Sequence, residues 1–553
     1  MRSAKRFFFL LVMASVVLTF SGAHAIPRDS RSAAGQDDAA EETKIVEGFQ
    51  SALDLAKANY AGTIDGEKVQ GASIEGMLHT LDPHSSYFDR KSWQSFLSEQ
   101  RSTYSGIGAT IGPRNGKVYI TSPFDGTPAH KAGILYGDQI IEVNGESTEG
   151  LQYQQVSAKL LGPRGTKVTV KVLRAGNPNP LVFNLVRDSV PLPSIANSFM
   201  LSPGVGYINL QRGFNTTTSE EITLALRELH EQGMNSLIFD LRGNRGGLVD
   251  QAYRVANNFL YTGQVIVSMH GRPSVFQSSE LKAKNSNPDG LPMVVLVDRG
   301  TASAAEIVAA ALQDHDRAEL VGESSFGKGL VQSPYTLRDG SGLVLTEGRY
   351  YTPSGRLIQR DYSGRSFYDY YLQRGDKEAL EKQPRDEKHT DAGRPVYGGD
   401  GITPDVEAKL PPHYIELLRT WNDPVFAFTR ELVQGLIPAL PEFKVDHPAD
   451  HNHRLKDTDY PVTDKVLDAF KKFLHDHKEL NGPDDAQIDK DANFVKLRIR
   501  YEVCTAAYGT EPAYQVQLQT DPQMQVAVAQ LPKAKGLADE IRRAWSQAAA
   551  GRN

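Results

Sequence analysis

Three short segments near the middle of the chain carry residue types that could transfer an acyl group. They are residues 240–247 (DLRGNRGG), 301–306 (TASAAE) and 322–332 (GESSFGKGLVQ). Ser303 stands where a helix is predicted to begin, so its hydroxyl could act as a nucleophile while the N–H that follows it stabilises an oxyanion. Lys328 could accept the serine proton if burial lowers its pKa from about 10.4 towards 7.

Each segment also has a plain structural interpretation. Ser303 and Glu306 have the spacing of a capping box, which would make the serine only a helix cap. Lys328, between two glycines, could be a solvated loop lysine, and the glycine pair at 246–247 could serve only a turn. Taken alone, each segment leaves both interpretations open.

Strand and helix patterns alternate between about residues 205 and 360, which predicts a layered α/β core. Buried strands are predicted at 236–241, 265–269 and 293–297, and helices at 248–260 and 303–312. The three segments lie at the carboxyl ends of predicted strands or in the loops beyond them. Ligands usually bind at this edge of an α/β sheet, so the pattern predicts a site there.

Length and composition exclude several classes of protein. The 553 residues are enough for three or four domains, and 40% hydrophobic with 23% charged residues is typical of a globular protein. A net charge of −6 argues against a nucleic-acid partner. Cys504 is the only cysteine, so neither an intramolecular disulfide nor a multi-cysteine zinc site can form.

The N-terminus has the pattern of an export signal. Arg2, Lys5 and Arg6 precede an uncharged run from 7 to 20, and an A-x-A pattern ends at Ala25. We predict a signal peptide over 1–25, with the mature chain starting at Ile26 in the periplasm or beyond. An uncleaved anchor is the alternative. A polar mobile leader is predicted over 26–43 and an N-terminal helical unit over 44–102.

The β-rich segment 103–190 resembles a PDZ domain. Gly106-Ile107-Gly108-Ala109 resembles the carboxylate-binding loop, and residues 122–145 match the usual continuation. The resemblance implies that the amides of this loop bind the C-terminal carboxylate of a peptide, which adds as a strand to the sheet edge.

Together and in order, the three chemical segments resemble those of the carboxy-terminal processing proteases, a Ser/Lys peptidase family; the resemblance covers about residues 45–410. It implies that Ser303 is the nucleophile, Lys328 the general base and Gln332 the residue that orients the lysine. It further implies an oxyanion hole from the N–H groups of Ala304 and Gly247, and supporting roles for Asp240, Arg242 and Glu306. The implied fold is a multidomain α/β protein, with a crotonase-like protease core over 191–410, an inserted PDZ domain and a mostly helical extension over 411–553.

One position departs from the family pattern. Many relatives have an arginine before the G-P-x-G turn of the PDZ domain, where this chain has Leu161. If that arginine links ligand binding to activation in relatives, another residue must take its place for the link to exist here. Arg164 is the candidate.

Other catalytic arrangements have weaker support. His270 or His315 could complete a Ser/His/Asp triad, but neither lies in a motif of that kind. Cys504 is better explained as a small buried hydrophobic residue than as a nucleophile. His447, His451 and His453 could bind a metal, although a solvated loop is the simpler interpretation. We expect no metal and no cofactor in the catalytic mechanism.

These inferences favour an exported endopeptidase that acts on proteins or peptides with free C-termini. A catalytically silent PDZ scaffold is the main alternative, and a hydrolase of small esters is a third. An adaptor protein is a further candidate partner. We also expect the extension to form a homo-oligomer, because its apolar helical stripes need partners.

Overall fold

The computed structural model describes residues 36–363, 370–371 and 386–550. The predicted signal peptide and the first part of the predicted leader lie outside these residues. Helix α1 (Gln36–Asn59) begins inside the predicted leader, so that prediction is wrong for 36–43. Alanine and glutamate in its first turns favour a helix and suit the helix dipole.

The N-terminal unit is joined to the α/β core. Helices α2 (Gly66–His79) and α3 (Arg90–Glu99) flank strand β1 (Ser86–Phe88), which pairs antiparallel with residues 342–344. Trp93 of α3 is buried against Gly342, where an added Cβ would lie 2.1 Å from the indole. The segment predicted as a helical unit therefore also supplies a strand to a core sheet.

Residues 103–191 form a compact β-rich unit. Its strands are β2 (Thr103–Gly106), β3 (Ala109–Arg114), β4 (Lys117–Pro123), β5 (Gln139–Val143), β6 (Glu146–Ser147), β7 (Lys167–Leu173), β8 (Leu181–Val186) and β9 (Asp188–Pro191). The main sheet has the order β3-β4-β5-β7-β8, while β2 pairs with β9. Helices α4 (Pro128–Lys131) and α5 (Tyr153–Leu160) pack on it, and alternate residues of β7 point into its core.

The α/β core contains a six-stranded sheet in the order β10-β11-β12-β15-β16-β21. These strands are β10 (Asn197–Ser202), β11 (Val205–Asn209), β12 (Ser236–Asp240), β15 (Met293–Val297), β16 (Glu319–Gly322) and β21 (Val406–Glu407). From β11 onward all neighbours are parallel, and helices α6 (Thr218–Glu231), α7 (Val249–Asn257) and α8 (Ala304–Asp314) connect them. The predicted α/β layering is present, with helix and strand ends within a few residues of those expected.

A second core sheet lies beside the first. It contains β13 (Val265–Gly271), β14 (Ser279–Lys282), β17 (Leu330–Thr336) and β18 (Gly342–Tyr351), together with β1. A separate hairpin is formed by β19 (Glu387–His389) and β20 (Pro395–Tyr397). Strand β17 begins two residues after Lys328, so this sheet carries the third chemical segment.

The extension is helical and packs within the chain. Its helices are α9 (Pro412–Leu432), α10 (Asp464–Asp476), α11 (Asp485–Lys490), α12 (Ala492–Tyr508), α13 (Thr510–Leu518) and α14 (Pro522–Ala550), with short 3₁₀ turns at Pro441–Phe443 and Lys478–Leu480. Their apolar stripes form a common core with Tyr119 and Tyr136 of the β-rich unit, and α14 covers the outer face of β15 and β16. The stripes thus have partners inside the chain, which removes the reason given for oligomerisation. Within the described residues, no helix is both long and apolar enough to span a bilayer.

Candidate active site

The three chemical segments meet at one edge of the six-stranded sheet. They follow β12, β15 and β16, which are adjacent and parallel. The carboxyl ends of parallel strands lie at the same edge, so the loops at 241–248, 298–303 and 323–329 are neighbours. An added Cβ on Gly246 would lie 2.7 Å from Ser303 Cβ, which places the first loop directly against the second.

Ser303 occupies a strained and enclosed position. It is fully buried and has φ 61° and ψ −121°, a backbone region that residues other than glycine rarely adopt. Its Oγ has no hydrogen-bond partner among the described residues. Only half of the predicted capping box is present, because Glu306 accepts the Ser303 N–H (2.6 Å) while its own N–H donates to the Ser303 carbonyl oxygen (2.8 Å). The serine hydroxyl is therefore not used as a cap.

Glu306 connects the serine and lysine segments. Its Oε2 accepts the N–H of Ser303 and that of Lys328 (2.9 Å), while its Oε1 accepts the N–H of Gly327 (2.7 Å) and the hydroxyl of Ser325 (2.5 Å). Burial raises the pKa of Glu306, and these four hydrogen bonds act in the opposite direction. The carboxyl group fixes the lysine loop to the start of helix α8.

Tyr350, on strand β18, makes a second connection between the same residues. Its hydroxyl lies 3.0 Å from the Ser303 carbonyl oxygen and also contacts the Lys328 carbonyl oxygen. Tyr350 is buried, and burial raises the pKa of its hydroxyl well above the usual value. Nothing in the sequence around Tyr350 indicated a role at the site.

Lys328 is buried, with 6% of its surface exposed. Burial lowers the pKa of its ammonium group to about 8, although the negative charges of Asp82 and Glu306 act in the opposite direction. The solvated-loop interpretation of this lysine is therefore wrong. Enough of the amine is neutral near pH 8 for it to accept a proton.

Gln332 is buried beside the N-terminal unit. Its Nε2 donates to the carbonyl oxygen of His84 (3.0 Å) and to Thr346 Oγ1 (3.3 Å). Its Oε1 has no hydrogen-bond partner among the described residues. With its donor side occupied, the amide of Gln332 can offer only an acceptor to a lysine. Strand β17 has a register shift against β18 between Val331 and Gln332.

His84 and Asp82 come from the N-terminal unit, which sequence reasoning did not connect with the site. His84 Nε2 lies 2.8 Å from the Tyr370 hydroxyl, and its Nδ1 lies 3.2 Å from that of Tyr371. Burial and the charge of Lys328 lower its pKa well below the usual value, so the ring is neutral. Asp82 accepts the N–H groups of His84 and Ser85, both at 2.7 Å, which fixes the loop.

The glycine pair at 246–247 is held beside the start of helix α8. Phe214 donates to the Gly246 carbonyl oxygen (2.9 Å), and Ala302 donates to that of Asn244 (2.8 Å). Gly247 has φ 140°, and an added Cβ would lie 2.3 Å from the Phe214 carbonyl oxygen. Ala304 is the first residue of α8, so its N–H has no acceptor one turn back in the helix.

Asp240 and Arg242 form a buried ion pair at the base of this loop. Arg242 Nη2 lies 2.7 Å from Asp240 Oδ2, and the Arg242 N–H donates to Asp240 Oδ1 at 3.0 Å. Asp240 also accepts the hydroxyl of Tyr207 (2.8 Å). Two of the three predicted supporting residues, Asp240 and Arg242, therefore contact each other at the base of the loop.

The predicted carboxylate loop joins β2 to β3. Gly108 has φ 77°, and an added Cβ would lie 2.3 Å from Thr127 Cβ, so only glycine fits. Its carbonyl oxygen accepts from the Phe124 N–H (2.9 Å) and the Thr127 hydroxyl (2.8 Å), and that of Ile107 accepts from Ala129 (2.8 Å). Among the described strands β3 pairs only with β4, so its other edge faces helix α5.

Leu161 and Arg164 occupy different surroundings. Leu161 is 42% exposed, and an added Cβ on Gly106 would lie 3.1 Å from its Cδ2, so it borders the carboxylate loop. Arg164 pairs with Asp188 (2.7 Å) on the surface. The guanidinium of Arg164 is thus already bound to a carboxylate.

The alternative catalytic residues lie elsewhere. His315 ends helix α8, roughly 17 Å along the helix from Ser303, and it binds Asp391. His270 is exposed on β13, while Cys504 is buried in α12, where burial raises the pKa of its thiol to about 12. His451 packs against His130 while His453 binds Asp459. No group of three potential metal ligands occurs in the described parts of the chain.

Comparisons with known proteins find similar families and chains. Models of peptidase family S41, a PDZ domain and the N-terminal domain of the activating protease CtpB match residues 204–364, 119–174 and 12–92. The carboxy-terminal processing proteases CtpA and CtpB of Bacillus subtilis are 35% and 34% identical, covering 65% and 58% of this chain and 76% and 67% of theirs. The solved photosystem II D1 C-terminal processing protease is 28% identical, with a TM-score of 0.34, over 65% of this chain and 86% of its own.

The family model and the similarity to CtpA define the class: the chain belongs to peptidase family S41 and is a serine-type protease. Within that family it is a carboxy-terminal processing protease with a PDZ domain. The family predicted from the three motifs is confirmed.

Proposed function

We propose that the protein is an exported endopeptidase in which Ser303 and Lys328 form the catalytic dyad. The neutral Lys328 amine takes the proton of Ser303 Oγ as that oxygen attacks the carbonyl carbon of the substrate. The resulting oxyanion binds the N–H groups of Gly247 and Ala304. The lysine then protonates the leaving amine. In the second half, a water molecule attacks the acyl carbon as Lys328 takes its proton, the bond to Ser303 Oγ breaks, and Lys328 returns the proton to that oxygen.

The buried, unpartnered Oγ of Ser303 carries this proposal. A buried hydroxyl without a hydrogen bond costs free energy, and so does the unusual backbone of this residue. Both are explained if the hydroxyl is kept for a substrate. Lys328 supports the same conclusion, because its buried amine has a pKa suited to a base. Gln332 is proposed to orient the lysine through its free Oε1.

Ser303→Ala tests the chemistry. The full mature chain should cut an unfolded protein, and the variant should lose that activity while keeping its unfolding temperature. The matched variant Ser324→Ala alters a serine in the lysine loop and should remain active. A wild-type protein with no activity would favour the silent scaffold, whereas an active Ser303→Ala variant would exclude Ser303 as the nucleophile.

We further propose that the PDZ unit captures the free C-terminus of the substrate. The geometry of Gly108 and the unpaired edge of β3 support this proposal, since a carboxylate could bind the loop amides while the peptide extends along β3. Leu161 adds an apolar surface beside the loop, which favours an apolar final residue.

Amidation of the substrate tests the capture. Charge-assisted hydrogen bonds contribute roughly 1.5 to 3 kcal/mol each, so amidation should slow cleavage of a long flexible substrate about tenfold or more. A short peptide that cannot reach both sites serves as the control and should show no difference. Equal rates for free and amidated long substrates would exclude capture of the carboxylate.

Export and the crotonase-like arrangement of the core are also proposals. The A-x-A pattern at 23–25 supports cleavage after Ala25. N-terminal sequencing of the protein recovered from the periplasm should give Ile26 as the first residue. A chain that starts at Met1 would instead indicate a retained anchor. The parallel order of β11, β12, β15 and β16 with covering helices supports the fold assignment.

A further inference from the structure

We propose that Asp521 and Gln523 of the C-terminal extension are positioning residues for the oxyanion loop, here defined as residues 241–248, and that they act through Arg242. The inference rests on the oxyanion role proposed above for Gly247. It gives the extension a function that neither the family motifs nor the expected oligomerisation supplies.

The guanidinium of Arg242 binds on two sides. Its Nε and Nη2 face Asp240, at the end of strand β12, with contacts between 2.7 and 3.1 Å. Its Nη1 points the other way, 2.8 Å from Asp521 Oδ2 and 2.8 Å from Gln523 Oε1. Arg242 therefore links the base of the oxyanion loop to the start of helix α14.

The two residues of the extension are themselves held in place. Asp521 Oδ1 accepts the N–H of Gln523 (2.9 Å) and that of Met524 (3.2 Å). Gln523 Nε2 donates to the Ala408 carbonyl oxygen (2.6 Å), next to β21 of the core sheet. Gln523 is 2% exposed and Asp521 is 9% exposed. A buried pair of this kind has fixed geometry, unlike an ion pair on the surface.

The loop beyond Arg242 has little freedom to absorb a shift. Gly243 donates to Asp298 Oδ1 (2.9 Å), and an added Cβ on Gly300 would lie 2.9 Å from Gly243 Cα. The Gly246 N–H donates to Asn244 Oδ1 (2.9 Å). Because these contacts hold Gly243, Asn244 and Gly246, we expect a displacement of the arginine to be transmitted to the Gly247 N–H.

The same helix also supports the other two catalytic loops. Met524, Ala527 and Ala534 of α14 pack against Val294 and Leu296 of β15 and against Val321 of β16. Those strands lead into the Ser303 and Lys328 loops. The start of α14 thus holds the oxyanion loop by charge, while its later turns cover the strands that carry the reacting residues.

Asp521→Asn in the full-length protein tests the inference. Asparagine keeps the size of the side chain and can accept the same two N–H groups, but it removes the charge that faces Arg242. We expect kcat to fall about tenfold with KM unchanged for a flexible peptide substrate. The affinity of a peptide aldehyde, whose adduct with the serine carries an oxyanion, should fall by about the same factor.

Arg542→Gln is the matched control, because Arg542 lies on the same helix and donates only to the Gly290 carbonyl oxygen (3.1 Å) among core residues. Its kcat, KM and aldehyde affinity should match the wild type. Gln523→Met should show the same selective loss as Asp521→Asn. The inference would be overturned if Arg542→Gln lost as much kcat as the test variants, or if Asp521→Asn and Gln523→Met changed only KM. It would also be overturned if the two test variants had wild-type kinetics, or if both failed to fold. A wild-type protein that cuts no protein would instead contradict the proposed function, and the loop would then be tested by the rate at which Ser303 reacts with a fluorophosphonate.

Discussion

At the residue scale, the main chains of Ser303 and Lys328 are connected to each other through Glu306 and Tyr350. Glu306 accepts the N–H of both residues, and the Tyr350 hydroxyl contacts both carbonyl oxygens. The relative position of the two segments therefore does not depend on a contact between the reacting side chains. Such preorganisation would let the proposed dyad adopt its reactive geometry without reordering the backbone.

The rate of cleavage should depend on the protonation of Lys328. Only the neutral amine accepts a proton, so kcat/KM should rise with pH and level off above about 8, the pKa that burial gives this lysine. At pH 6 the rate should be about a hundredfold lower than on this plateau.

Lys328→Arg should be inactive at every pH, because guanidinium does not deprotonate in proteins. Activity in Lys328→Arg would show that another group is the base.

Tyr350→Phe should lower kcat/KM about tenfold, because it removes the hydroxyl that joins the two carbonyl oxygens. Tyr351→Phe is the control: it alters the next residue of β18, whose hydroxyl makes no hydrogen bond with the described residues, and its activity should be unchanged. Steady-state kinetics of both variants, with thermal unfolding to verify the fold, measure the effect. Equal kinetics in the two variants would show that the Tyr350 hydroxyl does not position the dyad.

At the element scale, adjacent parallel strands bring the chemical loops together, and glycine allows their close approach. Gly246 and Gly247 lie against Ser303 and Phe214 at distances that exclude a side chain. The need for this close approach explains why both residues are glycine better than the need for a turn does. A turn would need the backbone angle but not the contact.

Gly246→Ala and Gly263→Ala separate these two explanations, since both residues have φ 95°. Gly263 has open space around it, so alanine there should cost only about 1 to 2 kcal/mol of backbone strain and keep the activity. Alanine at Gly246 would meet Ser303 Cβ at 2.7 Å, so we expect its activity to fall more than about a hundredfold. Chemical denaturation and peptide cleavage measure the two effects. Similar activity in both variants would mean that only the backbone angle matters.

At the scale of the whole molecule, the extension joins the PDZ unit to the protease core. Arg430 of helix α9 donates to the carbonyl oxygens of Gly137 (2.8 Å) and Leu173 (3.2 Å), and its guanidinium lies 5.4 Å from the centre of the Tyr119 ring. The hydroxyl of Tyr136 donates to Glu502 (2.8 Å). Since α14 packs on the core sheet, the extension sets the orientation of the PDZ unit relative to Ser303.

Arg430→Met should loosen the PDZ unit without altering the dyad. Cleavage of a short peptide should be unchanged, while amide hydrogen exchange in strands β4 and β5 should accelerate as the contact with α9 weakens. Arg419→Met is the control, since Arg419 is an exposed residue of the same helix. Exchange rates that are the same in both variants would contradict a role for Arg430 in holding the PDZ unit.

The sequence by itself determined much of the protein. Apolar residues that repeat every 2 or every 3.6 positions predicted the alternation of strands and helices in the core, because a buried strand or helix face must be apolar along its length. The three motifs led to the family and to candidate residues that the structure gathers at one sheet edge. Motifs succeed here because the chemistry needs particular residue types at short spacings. Helix ends, the leader and the capping role of Ser303 were less well predicted, since they depend on single local contacts.

Only the tertiary structure decided which distant residues complete the site and what the extension does. Tyr350, His84 and Asp521 are far from the motifs in sequence, and each has an ordinary local pattern. The roles proposed for them rest on long-range contacts with Ser303, Gln332 and Arg242. The apolar stripes of the extension predicted that something must cover them, but a stripe does not specify its partner. The fold supplied the partner from within the chain, because burial against the PDZ unit and the core sheet satisfies the same hydrophobic requirement as a second copy would.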